Sequence, residues 1–414
     1  MPTPKLRFKE FDGDWTSKQL GKIIGISSAS RVFKEQWQDS GVPFFRTSDV
    51  VSIFKNKENE KAYISLELFE ELAKKSGKIK QGDLLVTGGG SIGIPYLVAN
   101  DQPLYFKDAD LLWMKSSGIV EGPFLYNFFI SPKFREYLKS ISHTGTISHF
   151  TIEQAKATPF GFPSKEEQTK IASFLSQVDE KISQLTQKYE LLSQYKQGMM
   201  QKLFSQQLRF KADDGSEFGE WEEVRLGNLV DLTSGFAFKS DFFSEDGNKL
   251  ITPKNFTTTG KANFTDTNTK WTTEISDKKY ICRPNDLLVL LTDLTQSCEL
   301  LGKPILLSQD DGNVLLNQRI VKIIPNRKLE KPFLLYLLLT DDFHELIAST
   351  ASGTTVKHSS NKVLQSFHFY LPCLEEQTKI ANFLSAIDQK IEVVAHQIEQ
   401  AKTWKKGLLQ QMFV

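Results

Sequence analysis

The chain has 414 residues, 40% of them hydrophobic and 31 of them Phe, with 51 Lys+Arg against 50 Asp+Glu and a net charge of +1. That length exceeds what one core usually supports, so about two to four folding units are expected, and the near-neutral charge by itself gives no sign of nucleic acid or a membrane surface. No apolar run approaches the ~20 residues of a membrane span, and the three cysteines (Cys282, Cys298, Cys373) form no C-x-x-C motif, so a reduced, metal-free, cytoplasmic protein is the economical expectation.

In chain order, Met1-Pro2-Thr3-Pro4-Lys5 lacks the apolar core of a signal peptide. Leu6-Arg7-Phe8-Lys9, Trp15 and Leu20-Gly21 follow. Gly82-Asp83-Leu84-Leu85-Val86 reads as a turn and then a buried strand. Gly88-Gly89-Gly90-Ser91-Ile92-Gly93 satisfies G-x-G-x-x-G, but Ile94-Pro95-Tyr96-Leu97-Val98 cannot supply the helix that a dinucleotide site requires. A tight turn between strands is the better reading. Pro123-Phe124-Leu125 opens a short apolar helix, with proline tolerated in its first turn.

A long helix is expected next. Apolar residues recur at alternating spacings of four and three at Ile171, Leu175, Val178, Ile182, Leu185, Tyr189 and Leu192, a heptad seam that calls for a supercoiled partner. Pro163 precedes Ser164, and Ser164 with Glu167 reads as a capping box. The acidic first turn suits the helix dipole.

After residue 207 the plan repeats. Leu208-Arg209-Phe210-Lys211, Trp221, Leu226-Gly227, Asn285-Asp286-Leu287-Leu288-Val289 and Pro332-Phe333-Leu334 match the landmarks above, and Gly353-Thr354 with His358 match Gly145-Thr146 with His149. Glu166 to Ser176 returns as Glu375 to Ser385 with one difference in eleven positions. The second seam runs through Ile380, Leu384, Ile387, Ile391, Val394, Ile398 and Ala401. Lys196 and Lys405 interrupt the two seams at equivalent places.

This gives an α+β chain. Two globular α/β domains (1–162 and 208–371) alternate with two long helices (163–207 and 372–414), an internal repeat whose two heptad seams each call for a partner. Between the shared landmarks the domains differ. Arg46-Thr47-Ser48-Asp49 stands where the second copy has Thr252-Pro253-Lys254-Asn255, and Thr87-Gly88-Gly89-Gly90-Ser91 where it has Leu290-Leu291-Thr292-Asp293-Leu294. One frame with two sets of loops suggests two readers of two targets.

Catalysis finds little support. No G-x-x-x-x-G-K-[ST] is present, and His143 and His149 near Thr144 and Ser148 lack a third group placed by spacing. Asp12-Gly13-Asp14 and Asp213-Asp214-Gly215 resemble fragments of a calcium loop without its other ligands.

Two divergent domains alternating with two copies of P-x-x-E-E-Q-x-x-I-A-x-F-L-S-x-x-D-x-K-I resemble the specificity subunit of a type I restriction-modification system, over essentially the whole chain. The resemblance implies that each domain is a target-recognition domain reading one half of a split sequence in double-stranded DNA. It implies that the helices pack as an antiparallel coiled coil with a pseudo-two-fold axis, act as a spacer and dock two methyltransferase (M) subunits, with restriction (R) subunits as further partners. No cofactor is then expected on this chain; S-adenosylmethionine, ATP and Mg belong to the partners. Half-sites on one face of DNA lie near whole turns, about 34 Å or a multiple apart, so the helices would act as a ruler between unlike half-sites. Domain charge is modest: residues 1–162 carry 21 Lys+Arg against 18 Asp+Glu, and residues 206–371 carry 19 against 22, which suggests weak DNA binding without partners.

Candidate DNA-reading residues are Arg46, Thr47, Ser48, Thr87, Ser91, Thr144, Thr146, Ser148 and His149 in the first domain, and Thr252, Lys254, Asn255, Thr292, Gln296, Thr354, Thr355, Lys357 and His358 in the second. Arg and Lys suit guanine, Asn and Gln suit adenine, and hydroxyls serve bases or phosphate. The Gly-Thr…His element has two open readings, DNA contact or a tie from each domain to its helix. Apolar pairs beside Gly198 and Gly407 widen the helix stripes, either for M-subunit docking or for a thicker contact between the helices. The competing function is a coiled-coil scaffold whose two domains bind something other than DNA.

Overall fold

The computed structural model describes residues 3–107, 110–116, 118–141, 149–293 and 297–414. Contacts divide it into two compact units, Met1–Gln187 with Ala395–Val414, and Lys188–Val394. Each unit combines a globular domain with segments of both long helices, so the division falls inside the helices.

In the first unit the run Leu84–Thr87 is buried at every residue, because it is the inner strand of a four-stranded antiparallel sheet ordered Gly25–Ser27, Leu111–Lys115, Leu84–Thr87, Pro95–Leu97. A second sheet is ordered Tyr63–Ile64, Val42–Phe45, Tyr105–Phe106, its last pair parallel. Thr16–Gln19 pairs with Pro159–Phe162, bringing the two ends of the domain together. The helix Gly122–Ile130 carries Pro123 in its first turn, as the sequence predicts, and a second helix, Pro132–Ser140, starts on proline.

The second unit repeats this plan. One antiparallel sheet is ordered Val230–Ser234, Ile320–Pro325, Leu287–Leu290, Pro304–Leu306. A five-stranded sheet places Asn248–Ile251 between Lys270–Thr272 and Val314–Leu316, with Phe243–Ser244 and Ile281–Cys282 at its edges. Glu222–Arg225 pairs with His368–Leu371. The helices Lys331–Leu337 and Asp341–Ser349 stand where the first unit has that helix pair.

The long helices span Lys165–Phe204 and Leu374–Met412 without interruption. All the expected seam residues are buried or half-buried. In the first unit Ile171, Leu175 and Val178 join one core with Leu408, Leu409, Met412 and Phe413. In the second, Leu203 joins Ile380, Leu384 and Ile387. Rising numbers on one helix meet falling numbers on the other, so the segments within each unit run antiparallel.

The lysines that break the seams are answered across the helix pair. Lys405 Nζ lies 2.5 and 2.7 Å from the two oxygens of Asp179, and Lys196 Nζ lies 2.6 Å from Asp388, the equivalent aspartate of the other copy. A single polar pair in an apolar seam fixes register, since any slip leaves a charge without its partner. Asp388 also accepts the Tyr336 hydroxyl at 2.8 Å, and burial with this carboxylate raises the tyrosine pKa.

Candidate nucleic-acid interface

The domains must be held on their helices before their loops can be aimed, and the repeated Glu-Gln pair does this. Glu167, at a helix start, is 1% exposed and accepts Arg7 Nε and Nη2, each at 2.7 Å, and Trp15 Nε1 at 3.4 Å. Glu376 is fully buried and accepts Arg209 Nε at 3.1 Å, Arg209 Nη2 at 2.8 Å and Trp221 Nε1 at 2.8 Å. Beside it, Gln377 donates to the carbonyls of Lys328 and Pro372 and accepts the Glu330 N–H, each at 2.9 Å. Gln168 makes the same three bonds to Ile119, Pro163 and Glu121.

This corrects the expected capping box. Ser164 accepts the Glu167 N–H at 3.4 Å, but the carboxylate is taken by Arg7 and Trp15 and does not return to the cap. Sequence reading missed these positioning residues. Their signal was that Arg, Trp, Glu and Gln recur together in both copies.

In the first domain Thr47 and Ser48 begin the helix Thr47–Phe54. Arg46, just before it, turns inward: Nε and Nη2 donate to Asp49 at 2.9 and 3.2 Å, Nη2 also donates to the Glu60 carbonyl, and the guanidinium lies 5.6 Å from the Trp37 ring. The Asp49 carboxylate raises the Arg46 pKa. Thr47 donates to the Asp110 carbonyl at 3.3 Å, and exposed Ser48 accepts from Asn59 at 3.2 Å.

The glycine turn joins antiparallel strands, as expected, with positive φ at Gly90 and Gly93. Thr87 builds that turn from inside. Its hydroxyl donates to the Ser91 carbonyl at 2.5 Å and accepts the Ile94 N–H at 2.8 Å, and the residue is wholly buried. Its reading as a DNA contact is therefore corrected, whereas Ser91 is exposed. A Cβ on Gly89 would lie 3.7 Å from His149 Nδ1, and one on Gly90 would lie 3.9 Å from Thr47 Cγ2. The turn thus brings Thr47, Ser91 and exposed His149 to one region. Thr144, Thr146 and Ser148 lie outside the described residues.

In the second domain Thr252 and Asn255 cap the short turn Pro253–Asn255. Asn255 Oδ1 accepts both the N–H and the hydroxyl of Thr252 at 2.8 Å, and Nδ2 donates to the Asn263 carbonyl at 3.2 Å. Asn255 is fully buried, which corrects it to a structural role, while Thr252 is 8% exposed and spends its hydroxyl on Asn255. Lys254 between them is exposed.

Strand Thr292–Asp293 pairs with Lys357–His358, and the Thr292 hydroxyl lies 3.1 Å from His358 Nδ1. Thr292 is 5% exposed, which corrects it to a support for His358. In the second domain this ties His358 of the Gly-Thr…His element to the strand Thr292–Asp293; Gly145 and Thr146 of the first domain lie outside the described residues. Thr354 and Thr355 are exposed on the turn before His358, Lys357 is half-buried, and Gln296 lies outside the described residues.

Sequence reading missed the turn Asn317-Gln318-Arg319, which shares a cleft of about 300 Å³ with Lys254 and Lys270. A polar triplet between the apolar runs Val314–Leu316 and Ile320–Pro325 was the available signal. No helix among the described residues is long and apolar enough to cross a membrane.

The sequence model for the type I restriction modification DNA specificity domain matches this chain twice, over residues 12–194 and 219–403. The type I restriction enzyme MjaVIII specificity subunit of Methanocaldococcus jannaschii is 30% identical over 299 residues, covering 69% of this chain and 68% of that protein. The crystal structure of the S subunit from M. genitalium superposes with a TM-score of 0.58 at 18% identity, covering 100% of this chain and 99% of that one. A chain from work on complex assembly and conformational transition of the type I R-M system gives 0.57 at 18% identity, covering 97% of each. The two structures share the fold. With both domain-plus-helix repeats matched by the specificity model, the chain belongs to the type I restriction-modification DNA specificity family.

Proposed function

We propose that this chain is the non-catalytic targeting subunit of an adenine-methyltransferase and endonuclease complex, with its two specificity domains reading unlike halves of a bipartite target in double-stranded DNA. One observation carries the asymmetry. The two domains share sheet order and the Arg-Trp-Glu-Gln clamp, yet differ at the helix Thr47–Phe54 against the turn Pro253–Asn255 and at the glycine turn against Thr292–Asp293. A shared frame with unlike loops suits two different base sequences.

The long helices serve as the spacer and dock two M subunits, and restriction subunits join through that assembly. S-adenosylmethionine, ATP and Mg act on those partners, and the complex works in the cytoplasm. The near-balanced charge of both domains supports sharing phosphate contacts with partners, because a protein that holds DNA alone usually carries a clear basic excess.

Mapping DNA methylation by the assembled complex tests this reading. Exchange of residues 208–371 for another specificity domain should change one half of the methylated motif and preserve the other half and the gap. A heptad inserted into each long helix should lengthen the gap and leave both halves intact. A motif unchanged by domain exchange would overturn the assignment.

A further inference from the structure

The second domain is acidic overall, with 19 Lys+Arg against 22 Asp+Glu over residues 206–371. The cleft around Lys254, Lys270, Gln318 and Arg319 runs the other way: those residues line it with Thr252 and Phe243, and no carboxylate lines it among the described residues. Local positive charge gathered in an acidic domain marks where a polyanion is held.

The turn that carries Arg319 is fixed by its backbone. The Gln318 N–H donates to the Phe236 carbonyl at 2.9 Å, Ile320 N–H to the Asn317 carbonyl at 3.0 Å, and Leu291 N–H to the Arg319 carbonyl at 2.9 Å. Asn317 Oδ1 accepts the Arg319 N–H at 3.2 Å. Gly235 makes this possible, since a Cβ there would lie 2.0 Å from the Asn317 carbonyl oxygen. The Gln318 and Arg319 side chains take no part in these bonds. Arg46 of the first domain, in contrast, is already held by Asp49.

We infer that Arg319 is a specificity-determining residue that reads a guanine in the half-site of the second domain, with Lys254 and Lys270 on the flanking phosphates; this rests on that domain being a DNA reader. A guanidinium fork matches the O6 and N7 acceptors of guanine, and the backbone bonds of the turn fix the point from which the Arg319 side chain starts. A lysine on a phosphate adds affinity without sequence preference.

The test uses the full chain assembled with its methyltransferase, with methylated motifs mapped across a genome. R319A should relax one guanine position in the half-site of the second domain, with discrimination there falling about ten- to a hundred-fold. R319K should relax the same position, since lysine keeps the charge and lacks the fork. K254Q with K270Q should weaken all sites alike and lower the slope of log affinity against log salt by roughly two. Thermal melts matching the parent confirm that the variants fold. A motif unchanged in R319A, while domain exchange still alters that half, overturns this assignment and leaves the family reading standing. A motif that domain exchange also leaves unchanged overturns both.

Discussion

Replacing Glu376 with glutamine should weaken the hold of the second domain on its helix. The side chain keeps its size, but one amide oxygen must serve where the carboxylate now accepts Arg209 Nε at 3.1 Å, Arg209 Nη2 at 2.8 Å and Trp221 Nε1 at 2.8 Å. The new NH2 also faces donors. Glu376 is fully buried, so water cannot reach its side of the pair, while the Arg209 side chain is 21% exposed and keeps its 2.7 Å bond to the Gly219 carbonyl. Breaking a buried pair by removing one partner costs about 3–5 kcal/mol. In a unit of roughly 200 residues each kcal/mol is worth about 2–4 °C, so the transition of this unit should fall by about 6–20 °C. Tryptophan emission follows it, because Trp221 sits in the clamp. Glu376→Leu with Arg209→Met replaces the pair by apolar groups and should recover all but the orphaned indole N–H, about 1–3 kcal/mol. A loss below about 1 kcal/mol for Glu376→Gln, or a double variant as unstable as its two single changes added together, would refute the clamp.

The two seam lysines should differ in weight: Lys196→Met should cost more than Lys405→Met, since Asp388 is 19% exposed and Asp179 is 46% exposed and better solvated once unpaired. Chemical denaturation of each variant measures the difference, and equal losses would count against it. Gly235→Ala, whose Cβ would overlap the Asn317 carbonyl oxygen, should destabilise the second unit by more than about 2 kcal/mol in the same measurement. Burial and nearby Lys303 hold the His344 imidazole below its ordinary pKa of 6.5. The unfolded chain therefore takes up the proton first, and stability should drop as pH falls from about 6.5 towards the lower folded value. His344→Gln should flatten that part of the stability curve, and an unchanged slope would assign it to other groups.

The long helices were legible in the sequence because a four-three apolar spacing has few other solutions: expected over 163–207 and 372–414, they run Lys165–Phe204 and Leu374–Met412. The glycine turn was legible for a similar reason, as Pro95 forbade the helix that the motif otherwise needs. The clamp was not. An acidic residue at a helix start already has a local explanation in the dipole, and its true partner Arg7 lies 160 residues away. Thr87 and Asn255 were mistaken for surface readers because small polar residues satisfied by nearby backbone look, in one dimension, like those that face solvent. Arg319 escaped notice because a three-residue turn between apolar runs reads as a mere connection.

The core of the first unit is assembled from distant parts of the chain. Phe413 lies 5.1 Å from Phe124 between ring centres, Leu408 and Met412 are buried with it, and the Leu6 N–H donates to the Gln411 carbonyl at 3.0 Å. During synthesis, residues 1–187 emerge early, yet the side chains that complete their core follow only after the whole of the second unit has been made. The domain translated first is therefore the last to close. Until then it exposes the apolar face that Leu408, Leu409, Met412 and Phe413 will cover, and a nascent chain in that state is a natural client for chaperones.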